Sequence, residues 1–335
     1  MLKGLRVAVA LAMTGMPVVA SAHGWVEPWH EDVLRSARSL VLADVSRAPD
    51  GGWRARVDRL LAGRPVPPQL EIRSYGLVGS GFEPIAGHPH PLRLEPGSRY
   101  YLLLMRDEVT QSYALATPAS GFARLDGDHV IATYRHSLDH ARVPRDAYES
   151  TVTAAFRAQH GQPVDGAAPD FVRLQLARPV ADPEAAGRPS RRVVERFHLQ
   201  HAALETHALV GGPLEMAILE PFLEAQTAQV QVSAVRALAR IPGAASRSAL
   251  LGFTAREDRH PLARAMALRG LGRMEPGGLL PELRRIARET VDHPVLPLDT
   301  HFMDSRRLDL PPSLSAAVQE ALAIWEGESS MAAVR

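Results

Sequence analysis

Ala234-Val235-Arg236-Ala237-Leu238-Ala239-Arg240-Ile241 returns 33 residues on as Ala267-Leu268-Arg269-Gly270-Leu271-Gly272-Arg273-Met274. In both octets small and aliphatic residues recur at i, i+3 and i+4, which places them on one face of an α-helix and lets helices stack closely. A repeat of this length holds one pair of helices. First helices are expected over 214–224 and 246–256, the octets lie on the second helices, and Pro242 and Pro276 punctuate the exits. A third unit opens at Gly278-Leu279-Leu280 and ends in Ala317-Val318-Gln319-Glu320-Ala321-Leu322-Ala323-Ile324, with an inserted, proline-containing loop from His293 to Pro312 between its helices. One more helix, Val193 to Leu209, precedes the first unit, and it or the upstream domain is expected to cap the open end of the stack.

Upstream of about residue 140 the period changes from helical to two. Leu40–Val45, Trp53–Val57, Leu70–Ile72, Tyr100–Leu104 and His129–Ala132 alternate apolar and polar residues as short strands do. Asp50-Gly51-Gly52 and Asp126-Gly127-Asp128 supply turns, because glycine accepts positive φ without a Cβ clash. The expected product is a small, closed or nearly closed antiparallel barrel in which Tyr100 and Tyr101 face opposite ways, one to the core and one to the surface. Between barrel and helices, residues 141–189 read as a linker with one helix, Arg145 to His160.

The order of segments, a strand after Ala37-Arg38-Ser39, a turn, a strand ending in Arg59-Leu60-Leu61-Ala62-Gly63, proline punctuation, then Pro96-Gly97-Ser98-Arg99-Tyr100-Tyr101, resembles the OB-like barrel of the tissue-inhibitor-of-metalloproteinases and netrin-module group. The repeated octets resemble the HEAT-repeat group over about 190–327. The fold class implied is multidomain β plus α: an OB-like barrel (23–140), the linker (141–189), a HEAT-like solenoid (190–327) and a tail (328–335).

The first 22 residues have a basic start (Lys3, Arg6), an apolar run from Val7 to Val19 interrupted by Pro17, and the small residues Ala20-Ser21-Ala22. That is the layout of a secretory signal peptide, and cleavage would expose His23. The expected location is periplasmic or secreted. The apolar run is shorter than the roughly 20 residues that span a bilayer, and no transmembrane span is expected. A formal net charge of +1 gives no field favouring nucleic acid. With no cysteine, disulfides, thiolate metal sites and a cysteine nucleophile are excluded.

Two sets of residues carry possible chemistry. His23 would offer an amine and an imidazole to one metal ion, with His30 nearby in sequence and His88-Pro89-His90 in a turn, a donor set suited to copper or zinc. Arg236, Arg240, Arg269 and Arg273 recur at equivalent repeat positions, either lining a partner-binding face or forming salt bridges within each repeat. His198 and His201 share a helical face read as solvated. Gly79-Ser80-Gly81 lacks the spacing of a nucleophile elbow, and no phosphate loop, dinucleotide fingerprint or His-Glu-x-x-His helix occurs. The expectation is an exported, non-enzymatic scaffold that binds another exported or envelope protein and needs no cofactor; the alternative is a copper- or zinc-binding protein using His23.

Overall fold

The alternating segments become strands and the longer-period segments become helices in a computed structural model, which describes residues 29–49, 52–72, 94–117, 120–134, 138–185, 188–290 and 313–332. Five strands close a ring: β1 (Ser39–Arg47), β2 (Trp53–Gly63), β3 (Gln69–Ile72), β4 (Arg99–Arg106) and β5 (Tyr113–Leu115). The order is β1-β2-β3-β5-β4, and β4 closes on β1. All these pairings are antiparallel except β3 with β5, which meet in parallel at Ile72 and Tyr113. Register shifts opposite Leu40/Val41 and Leu42/Ala43 leave Leu61 and Asp58 of β2 as bulges, the device that bends a long strand around a small barrel. Three further strands, β6 (Phe122–Asp126), β7 (His129–Tyr134) and β8 (Leu138–Pro144), extend the sheet from β4. The β6–β7 hairpin turns at Gly127-Asp128, where Gly127 takes φ +59°.

The ring is filled by Val41, Val45, Trp53, Ile72, Tyr100, Leu102 and Phe122. The other face of β1 and β4, with Leu40, Leu42, Tyr101 and Leu103, is covered by α1 (His30–Ser36) and α2 (Arg145–Gln159) through Val33, Leu34, Val152 and Phe156. Strand β4 is thus buried on both faces, which corrects the expectation that one of Tyr100 and Tyr101 is exposed. It also accounts for the unbroken apolar run Tyr100–Leu104.

The remaining helices form pairs. α3 (Ala167–Leu176) packs on α4 (Arg191–Val210), α5 (Met216–Leu223) on α6 (Ala228–Leu238), α7 (Ala244–Ala255) on α8 (Pro261–Gly272), and α9 (Leu280–Glu289) on α10 (Leu314–Ala332). The second members also stack in sequence, α4 on α6, α6 on α8 and α8 on α10. The octets begin on α6 and α8 and run on past their C-terminal ends, so that Arg240 and Arg273 lie beyond the helices, and their small residues set the spacing. A Cβ on Gly270 would lie 2.7 Å from the Cβ of Ala239, and one on Gly272 would lie 3.1 Å from the Cα of Ala321.

Two boundaries differ from expectation. Residues 141–189 hold the end of β8, the expected helix α2, and also α3, all packed: α2 on the barrel, α3 on α4. Several of their buried positions are alanines, such as Ala154, Ala155 and Ala168, which give the segment a linker-like composition and a weak apolar stripe. The tail is also shorter than expected, because α10 continues to Ala332. The insertion at 293–312 lies outside the described residues. No described helix is long and apolar enough to cross a membrane.

Candidate functional site

Helix α1 joins the two halves. Glu31 and Asp32 fall in its first turn and Arg35 in its last, each complementing the helix dipole, and Asp32 pairs with Arg35 at 2.7 Å. Val33 and Leu34 anchor it in the barrel-side core, while Trp29, just before it, packs against the core of the helical stack. The first turn is thereby held over α4, α6 and α8.

The recurring arginines meet there. Arg236 on α6 donates to Glu31 at 3.4 Å and to Glu205 on α4 at 2.5 Å. Arg273, just past α8, reaches the other oxygen of Glu31 at 3.2 Å. Arg269 pairs with Glu320 on α10 at 3.0 Å. The guanidinium carbons of Arg236 and Arg269 each stand 5.6 Å from the centroid of the Trp29 ring, within cation–π range. These pairs run between neighbouring helix pairs and to α1, not within a repeat. Arg240 is placed differently: its guanidinium lies beside Gly211, where a Cβ would be 3.4 Å from Nη2, so it stands at the C-terminal end of α4 where a cation is favoured.

Behind Arg236 the cluster continues inward. The Ser233 hydroxyl donates to Glu205 at 3.0 Å and lies 3.3 Å from Nδ1 of His201. Ser, His and Glu thus adjoin, but Glu205 accepts from both the serine and Arg236, and all three residues are buried. This wiring departs from a nucleophile–base–acid relay. Burial raises the Glu205 pKa, yet the adjacent Arg236 charge, with His201 and two hydrogen bonds, holds the net value below the usual carboxylate range. Glu31 behaves alike: burial is the largest influence and opposes ionisation, but the charge of Arg236, a backbone hydrogen bond and Arg273 together hold the carboxyl below its usual range. Burial lowers His30 to about 4, with Glu205 pulling up and Arg236 down, and it lowers His201 to about 4 as well. Both imidazoles are neutral near pH 7.

His201 is accordingly interior, and His198 accepts a hydrogen bond from the Arg142 amide of β8 at 3.3 Å, which corrects the expectation of a solvated face. That bond covers the outer edge of β8 with α4.

Of the candidate metal ligands, His23, His88 and His90 lie outside the described residues. His30 is buried beside Arg236, and among the described residues no group of three His, Asp or Glu is placed to share an ion.

Compared with protein-family models, curated proteins and solved structures, the chain matches none.

Sequence reasoning found the arginines but missed Trp29, Glu31 and Glu205. The available signal for Glu205 was a carboxylate inside the otherwise apolar run Ala202-Ala203-Leu204 of α4, a position that needs a buried cation. For Glu31 no local signal existed, since its partners are more than 200 positions away.

Proposed function

We propose that the chain is an exported, non-enzymatic scaffold that binds another envelope protein through the arginine row of its helical stack. In this reading the paired helices are a HEAT-like solenoid and the ring is an OB-like barrel that closes the α4 end. The octet repeat on α6 and α8 and the sequential stacking of second helices support the first; the ring order supports the second. Export rests on the leader-like residues 1–22.

One observation carries the reading: three of the four recurring arginines, Arg236, Arg269 and Arg273, converge on one short segment, Trp29 and Glu31. The row selects an aromatic and an acid from its own chain, so it has the chemistry to take an acidic, aromatic segment from a partner.

The test is in-cell photocrosslinking with benzoylphenylalanine placed at Arg240, at Arg273 and, as a control, at Val109, which is 92% exposed on the barrel. A discrete adduct with the same envelope protein from 240 and 273, and none from 109, is the expected result. No adduct, or one pattern from all three positions, overturns the reading.

A further inference from the structure

Six ionisable groups meet where the first turn of α1 rests on the helices: His30 and Glu31 from α1, His201 and Glu205 from α4, Arg236 from α6 and Arg273 beyond α8. The surrounding elements add Arg269 with its partner Glu320 and, one turn along α4, His198. On the barrel side of α1, Asp32 and Arg35 pair with each other, Arg35 also reaches Gln159, and His160 contacts the Leu34 carbonyl. Glu31 ties α1 to the helices by ion pairs, its two oxygens holding Arg236 and Arg273. Val33 and Leu34 tie the rest of α1 to the barrel independently.

The geometry points to an acid-opened latch: the Trp29–Glu31 turn is held against α4, α6 and α8 at neutral pH and lifts from them as the buried cluster takes up protons. As regulation of the arginine row it rests on the scaffold reading above; as an opening reaction it stands alone. The closed form keeps His30 and His201 neutral, whereas solvated imidazoles have a pKa near 6.5. The closed form therefore binds fewer protons, and its advantage is full above pH 6.5 and lost as pH falls towards 4. Each histidine that becomes solvated raises the opening equilibrium by about tenfold per pH unit in that window. Below about pH 4.5, protonation of Glu31 and Glu205 acts in the same direction. Opening frees Arg273 and uncovers the faces of Arg236 and Arg269 that Trp29 occupies, while Glu205 and Glu320 keep those two arginines paired.

The test uses the full chain carrying 5-fluorotryptophan, with the Trp29 resonance assigned from Trp29→Phe. Trp53 in the barrel core and Trp325 in the helical core report whether each half stays folded. The expected result is a Trp29 fluorine shift between pH 6.5 and 4 while Trp53 and Trp325 hold their positions. His30→Gln and His201→Gln should each make the transition shallower, and the double variant should nearly remove it in that window. A Trp29 signal that stays fixed until Trp53 and Trp325 also change, or a transition unaltered in folded His30→Gln and His201→Gln chains, overturns the latch. A latch without row-specific crosslinks at either pH removes the scaffold reading alone, and crosslinks with an invariant Trp29 remove the latch alone.

Discussion

Glu205 has no exposed surface, and a carboxylate in that position persists only because Arg236 and Ser233 satisfy it. Arg236→Met leaves Glu205 charged, buried and unpaired. The expected loss is about 3–5 kcal/mol in urea unfolding, with Glu205→Leu/Arg236→Met recovering most of it, because replacing both members of a buried pair removes the desolvation penalty with the attraction. A full loss in the double variant would show that the pair itself, not its balance, holds the stack. Gly270 is a second single-atom constraint. Alanine there would favour the helix by about 1 kcal/mol, but its Cβ would meet that of Ala239 at 2.7 Å. Overpacking outweighs propensity, and Gly270→Ala should lower stability by about 1–3 kcal/mol in the same assay, whereas exposed Gly252, with open space around it, should gain from the same change.

At the scale of elements, the helices are tied together at their ends. Asp182, in the segment after α3, accepts from the amides of Gln226 and Thr227 and from the Thr227 hydroxyl, capping α6 from another pair. Asp182→Ala should cost about 1–2 kcal/mol, the range for a lost N-cap, read as a lower urea midpoint with an unchanged slope. Burial opposes ionisation of Asp182, but these hydrogen bonds hold its pKa below the usual range, so the cap is at full strength above that range and fades in acid. Trp325 on α10 plays the corresponding part for α8. Its indole N–H donates to the carbonyls of Leu271 at 3.1 Å and Met274 at 2.8 Å at the C-terminal end of α8, where Leu271 also accepts from the Met274 amide. Trp325→Phe should keep the fold and lower its thermal midpoint. The third unit was legible in sequence because α10 carries the expected segment 317–324. Helix α1 was not, since seven residues are too few to show a 3.6 period.

Across the whole molecule, barrel and stack share α4: Ala202 and Leu209 belong to the barrel-side core, and Leu204 to the helical core. His207, on the same helix, is held to about 4 by burial and then by the Arg240 charge, although a helix C-terminus ordinarily favours a protonated histidine. With its folded pKa depressed, it stabilises the protein fully above about pH 6.5 and progressively less towards pH 4. The thermal midpoint should therefore fall across that range, and His207→Gln should flatten the fall; a midpoint equal at pH 7 and 4.5 would contradict this account.

Local spacing alone determined that 234–238 and 267–272 lie on stacking helices and that 40–45 and 100–104 are strands, because helix and strand periods express which face is apolar within a few residues, and composition alone excluded cysteine chemistry. Tertiary structure decided the closure of β1 on β4, the packing of 141–189, and the targets of Arg236, Arg269 and Arg273. A periodic pattern places an arginine on a face, but its partner depends on which distant segment crosses that face. Glu31 arrives there only because the barrel anchors Val33 and Leu34 two and three residues later.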